Sequence, residues 1–398
     1  MSPDKQNIKL STPVWKQLLS IRRTAPIVFY TMMIYMAAEL ITVFILPQII
    51  PDHYYLRLYL HEHAIERTEI FLNNEDPFNQ SDELLGWQNR PNSQHDNWKV
   101  DKYGARTTFT VSKQPTRPIR ILFLGSSLIN GGPQISVENS ISALIEDSVT
   151  EAVNFGVMRY SLDQSYLAYR EELYEFQPRV LVVELPREPT GGLINQYIPF
   201  RHPEAHGMPF LKPRFEINSG RLNLIPLPPR HMFDSLLDNS ELLCWLEVHD
   251  GYFGKFEEFK KFGILPISRL FWHGYEMIEK KIHFSRGNEE GAALLKKIMT
   301  ALVEDAAAKN THIIFLSYPH QADTYIPRWR SLFPDYYGLR IEELSAPGFE
   351  IIDCREILRR SGRPAYELYQ ADMRHMTPIA NKLIAVKLKE KISDILSE

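Results

Sequence analysis

The sequence predicts a three-layer α/β domain on a parallel sheet, preceded by one N-terminal transmembrane helix. Two observations carry this. Short apolar runs alternate with helical patterns from Pro118 to the C-terminus, as in sheets covered by helices on both faces. Near the N-terminus, Thr24 to Pro51 contains no Lys, Arg, Asp or His and a single Glu, Glu39.

That stretch, with Ile27–Ala38 and Leu40–Leu46 as its apolar parts, is long enough for a bilayer, which needs about 20 residues. It is too long for a signal-peptide core, and no small-x-small cleavage site follows Leu46. Glu39 opposes insertion by roughly 2.5–3.5 kcal/mol, which the surrounding apolar residues offset. Lys5, Lys9, Lys16, Arg22 and Arg23 precede the span, whereas Arg57 and Arg67 after it are mixed with Glu62, Glu66 and Glu69. The positive-inside rule then puts residues 1–23 in the cytoplasm as a tail, residues 24–51 in the bilayer, and the main domain outside, periplasmic or extracellular. Pairing of Glu39 with another membrane protein is a further expectation.

Residues 52–117 read as a juxtamembrane connector, with a helix from Tyr54 to Phe71 and a loop over Asn73–Asn97, rich in Asn, Gln, Asp and Pro. From 118 to 398 the pattern predicts strands at Ile119–Leu124, Ala152–Phe155, Arg179–Leu185, His312–Ser317 and Phe349–Asp353. Helices are predicted at Ser136–Val149, Asp163–Phe176, Gly291–Lys309 and Pro378–Leu396. The alternation lapses into a Pro- and aromatic-rich insertion at about 190–288. There Phe253, Phe256, Phe259 and Phe262 recur at spacings of three, the pattern of a packed helix face.

Composition excludes several classes. Hydrophobic residues at 44% and charged residues at 24% suit a chain with a sizeable core. A net charge of −4, without a Lys/Arg-rich run beyond the N-terminus, gives no support to a nucleic-acid partner. Cys244 and Cys354 form no C-x-x-C pair, so they read as one disulfide or as two free thiols. No other His/Asp/Glu cluster has ligand spacing, so neither metal nor cofactor is expected.

Two motifs carry chemistry. The first strand ends in Gly125-Ser126-Ser127-Leu128-Ile129-Asn130-Gly131-Gly132, where ligands sit in such sheets. It is neither a G-x-G-x-x-G fingerprint nor a P-loop, and Ile129 replaces the second Gly of a G-x-S-x-G elbow. Ser126 or Ser127 is a helix cap or a nucleophile. Near the C-terminus stands Asp372-Met-Arg-His375-Met-Thr377-Pro378. Asp and His three apart let the carboxylate hold one imidazole nitrogen while the other acts as base. Thr377 and Pro378 form a good helix start.

Strand-G-x-S followed by D-x-x-H before the last helix resembles the SGNH (GDSL-like) hydrolase family, over roughly residues 118–398. Val153–Leu167 is similar to the family's second block. Leu85-Gly86-Trp87, Arg90-Pro91-Asn92 and Tyr103–Arg106 are similar to a preamble of membrane-anchored bacterial members, several of which modify envelope polysaccharides. The resemblance implies a flavodoxin-like fold, with Ser127 as nucleophile, His375 as general base and Asp372 as its orienter. The implied function is a membrane-anchored serine esterase or O-acyltransferase acting on an ester, acetyl by expectation, of an envelope or extracellular glycan. Three positions depart from the family pattern. Ser126 replaces the Asp of Gly-Asp-Ser, Arg159 stands at the oxyanion Gly of the second block, and Glu188 follows Arg187 at the third block's Asn. Glu188 paired with Arg159, or an oxyanion donor from Arg159 or Arg187, would compensate. The alternative is a catalytically impaired domain that binds glycan or serves as a scaffold in a membrane assembly.

Overall fold

A computed structural model describes residues 14–44, 69–73, 75–185, 189–201, 211–233, 239–254, 256–257, 289–325, 341–345 and 348–397. The chain divides into two units, Met1–Leu58 with Glu257–Met277, and Tyr59–Phe256 with Ile278–Glu398.

In the first unit, α1 runs from Val14 to Phe44 with Pro26 inside it. Over 26–41, where its side chains are described, Ile27, Val28, Phe29, Met32, Met33, Ile34, Leu40 and Ile41 are all exposed. Among the described residues no helix is long and apolar enough to cross a membrane.

The second unit opens with an antiparallel pair, β1 (Asn79–Asp82) and β2 (Gly86–Asn89). The composition of this segment reads as loop, yet its polar residues make the turns of a packed hairpin. Asp82 accepts from the amides of Leu84 and Leu85 at 2.9 and 2.6 Å, an Asx turn. Leu85, Trp87, Ala105 and Val111 join the main core. The predicted Tyr54–Phe71 helix lies mostly outside the described residues.

The sheet strands are β3 (Ile119–Leu124), β4 (Thr150–Asn154), β5 (Val180–Leu185), β8 (His312–Ser317) and β9 (Ile351–Asp353). β6 (Arg214–Asn218) and β7 (Arg221–Ile225) form a separate hairpin in the insertion. The sheet is wholly parallel, in the order β9-β8-β5-β3-β4. Side chains alternate between its faces. Leu122, Leu124, Val153, Leu181, Val183 and Phe315 face one layer, with Leu162, Leu167, Leu294, Ile298, Met299 and Leu302 packed on them. Ile121, Phe123, Ala152, Val182, Ile314 and Leu316 face the other, under Ile141, Leu358, Ile384, Leu388 and Ile392.

The helices of these layers include α2 (Ser127–Asn130), α3 (Ile141–Ile145), α4 (Leu162–Glu171), α6 (Glu289–Ala307), α7 (Cys354–Arg360) and α8 (Pro378–Ser397), while α5 (Ser240–His249) belongs to the insertion. Two predicted helices are shorter than expected: Asp163–Phe176 gives α4, which ends at Glu171 before a 3-10 turn at Leu173–Phe176, and Ser136–Val149 gives α3. Ser136–Val149 breaks at Ser140, which is extended and caps α3 by accepting from the Ala143 amide at 3.3 Å. Asp147 ends it by accepting from the Val149 and Thr150 amides. Short polar side chains compete here with the helix ladder. In α8 the predicted start holds: Thr377 Oγ1 accepts from the Ala380 amide at 3.3 Å.

The described part of the insertion has its own small core of Tyr197, Phe200, Leu211, Leu242, Leu246 and Phe256. Phe256 stacks on Phe200 at 4.6 Å, and Trp245 donates to Gln196 at 2.9 Å. These aromatics pack, while Phe259 and Phe262 lie outside the described residues. Both cysteines are free, Cys244 exposed and Cys354 buried.

Candidate active site

The site forms where β3 ends. Gly125 has φ +154°, and a Cβ there would lie 2.5 Å from the Glu184 Cβ and 2.6 Å from its Oε2, so no side chain fits. Ser126 is extended and caps α2, its Oγ accepting from the Leu128 amide at 3.2 Å. Ser127 is thereby the first helical residue, half-buried, and its Oγ lies 2.9 Å from His375 Nε2. Ser126 is thus the cap, and Ser127 faces the imidazole.

His375 comes from the turn before α8. Tyr369 and Met376 form an isolated bridge, the Gln370 amide donates to the His375 carbonyl at 2.9 Å, and the Thr377 amide donates to the Leu368 carbonyl at 3.0 Å. Inside this turn Asp372 Oδ1 accepts from the Arg374 and His375 amides, both at 3.0 Å. Its Oδ2 is hydrogen-bonded to His375 Nδ1. Partial burial pushes the Asp372 carboxyl up, but the bonds from the His375 ring and the Arg374 and His375 amides outweigh it and hold the group below its ordinary value. An ionised Asp372 places the ring proton on Nδ1 and leaves Nε2 to accept from Ser127; the network assigns this tautomer. The turn therefore brings Ser127, His375 and Asp372 into one hydrogen-bonded line.

The remaining predicted positions divide. Ser126 is not a free oxyanion donor: its amide donates to Glu184 Oε2 at 2.6 Å and its hydroxyl to Glu184 Oε1 at 2.8 Å. Arg159 is half-buried at φ +63°, a left-handed backbone that favours glycine. Its position thus keeps a glycine-like conformation while carrying a large cation. Arg187 and Glu188 lie outside the described residues, and so does any pairing of Glu188 with Arg159.

Sequence reasoning missed two residues. Glu184, 2% exposed in β5, holds the turn before Ser127. Burial pushes its carboxyl up, and hydrogen bonds from Ser126 and the Ile129 amide counter only part of that, leaving it at about 7. The available signal was a lone Glu in an otherwise apolar strand. Arg106, fully buried, donates to the carbonyls of Asn130 at 2.5 Å, Asn97 at 3.0 Å and Ile135. It ties the preamble to the loop that follows α2. Asn89 and Asn130 both donate to the Gly156 carbonyl, at 2.9 and 2.7 Å, so the preamble also braces the second block. Among the described residues no group of three or more His, Cys, Asp or Glu is placed to hold a metal.

No family model and no curated protein matches this sequence. Solved structures similar to it include TesA, at 13% identity and TM-score 0.33, covering 68% of this chain and 97% of that one. A lipase/acylhydrolase from Enterococcus faecalis is similar at 10% identity and TM-score 0.35, covering 69% and 95%. A catalytic mutant of Axe2, an acetylxylan esterase from Geobacillus stearothermophilus, is similar at 11% identity and TM-score 0.36, covering 70% and 95%.

Proposed function

We propose that the second unit is an SGNH-type serine esterase or O-acyltransferase that acts on an acyl ester carried by a glycan. The observation that carries this is the line from Ser127 Oγ to His375 Nε2, 2.9 Å, and from His375 Nδ1 to the Asp372 carboxylate. As His375 takes its proton, Ser127 attacks the ester carbonyl; the ester C–O bond breaks and the alcohol leaves with that proton from His375, and water or a sugar hydroxyl, deprotonated by His375, then takes the acyl group and Ser127 Oγ regains the proton. Anchoring by residues 24–51, with this unit on the outer side, belongs to the same proposal. Its supports are the charge-poor sequence, the basic flank before it, and the exposed apolar side chains of α1.

The test is fluorophosphonate labelling of the detergent-solubilised protein, with the labelled peptide read by mass spectrometry. Labelling confined to Ser127 and abolished by Ser127→Ala is the expected result. A folded sample that stays unlabelled beside a reactive control hydrolase sinks the reading and favours a glycan-binding or scaffolding role. That second reading has one specific support, the cation of Arg159 at a glycine-like position. The double variant Arg159→Gly with Glu188→Asn is expected to raise ester hydrolysis, because one missing oxyanion donor typically costs about 100–1000-fold. An unchanged or lower rate counts against a damaged oxyanion site.

A further inference from the structure

Glu184 is the one ionisable residue of β5, between Val183 and Leu185, on the sheet face it shares with Val180 and Val182. In the strand register it stands opposite Leu316 of β8. The titratable groups nearby on that face are the Tyr318 phenol and the Cys354 thiol, with Asp353 adjoining the latter. Burial pushes both Tyr318 and Cys354 well above their ordinary values, so both are neutral. Asp372 and His375 meet the same turn through Ser127. Both carboxyl oxygens of Glu184 are used on the turn itself, one on the Ser126 amide and one on the Ser126 hydroxyl.

We infer that Glu184 is a positioning residue for Ser127, its carboxyl reaching across from the neighbouring strand to fix the turn that presents the nucleophile. The inference rests on the reading of Ser127 as nucleophile. Three hydrogen bonds run in sequence: Ser126 amide to Glu184, Ser126 hydroxyl to Glu184, and Leu128 amide to Ser126 Oγ. They clamp the residues on both sides of Ser127. A tilt of the Ser126 peptide would move the Ser127 Oγ off the His375 ring, and small misplacements of reacting groups are costly. An ionised carboxylate accepts both Ser126 bonds with charge assistance, which makes them the stronger kind. An amide in its place has one acceptor, so Gln holds the Ser126 amide but no longer accepts from the hydroxyl. Since burial places the Glu184 carboxyl at about 7, the clamp tightens as pH rises through neutrality.

The experiment compares rates of fluorophosphonate labelling at Ser127 across neutral pH, in the full-length protein and its Glu184→Gln and Ser126→Ala variants. Melting temperatures are followed in parallel. In Glu184→Gln we expect labelling about tenfold slower on the alkaline side, with a flatter pH profile. Ser126→Ala, which keeps the amide bond to Glu184, should slow labelling less, and it carries the test if Glu184→Gln does not fold. The carboxyl's folded value of about 7 exceeds its ordinary 4.5. Its contribution to stability is therefore full below 4.5 and is lost as pH rises through 7. Glu184→Gln, which has no such titration, should gain melting temperature relative to the parent over that interval. Altered melting with unchanged labelling rate and pH profile would mean that Glu184 only supports the fold, and would overturn the inference. A parent protein that never labels is a different outcome, because it removes the nucleophile reading itself.

Discussion

Asp372→Asn is expected to lower kcat for ester hydrolysis by about 10,000-fold, the scale seen when a triad carboxylate becomes an amide, with little change in melting temperature. The fold is spared because the Asn Oδ1 still accepts from the Arg374 and His375 amides that shape the turn. Chemistry suffers because the Asn amide donates to His375 Nδ1 and shifts the ring proton to Nε2. That nitrogen then faces Ser127 Oγ, 2.9 Å away, as a donor and has no lone pair for its proton. Steady-state rates on an aryl acetate, beside a thermal melt of the same sample, check this. A variant within tenfold of the parent would mean that Asp372 does not set the tautomer.

Arg120→Met should lower the unfolding free energy by about 3–5 kcal/mol, the usual cost of breaking a buried pair by removing one partner. The Arg120 and Glu151 side chains are fully buried and 2.7 Å apart. Arg120 also donates to the carbonyls of Lys113, Gln114 and Phe176. Its loss leaves a buried carboxylate and three carbonyls without that donor. A urea titration measures the change, and Arg120→Met combined with Glu151→Leu should recover much of it, since a well-packed apolar replacement of a buried pair is often neutral. The pair also predicts acid sensitivity. Burial pushes Glu151 up, but the Thr116 hydroxyl, Arg120 and the Thr116 amide hold it below its ordinary 4.5. Its contribution is therefore present above that value and lost as pH falls below it. An Arg120→Met loss under about 1 kcal/mol would mean that Glu151 is accommodated in its neutral form.

Much of the site was legible because its members sit in local motifs. Gly125 before two serines marks a sharp turn after a strand, and Asp372 three residues before His375 marks a carboxylate–imidazole pair. The last helix was equally readable, since Thr377 and Pro378 announce its start and its apolar spacing is regular. Composition misled over Asn73–Asn97. The same Asp side chains that suit a solvated loop make the Asx turn of a hairpin, and Trp87 stands edge-on to Tyr160, distant in sequence. The Ser136–Val149 helix failed for a related reason: Ser140 and Asp147 offer hydrogen bonds that end a helix, and an apolar periodicity does not register them.

By itself the sequence determined the order of the five sheet strands along the chain, the motifs that hold Ser127 and the Asp372–His375 pair, and the charge-poor N-terminal stretch. All of these are local, set by periodicity, turn residues and short spacings. Tertiary structure alone decided that Ser127 and His375, 248 residues apart, meet at 2.9 Å. It alone brought Glu184 from the adjacent strand onto the Ser126 turn, and gave Arg159 a backbone that suits glycine. Those outcomes depend on which strands lie side by side. Parallel pairing joins segments separated by whole helices, and no short-range pattern encodes that choice.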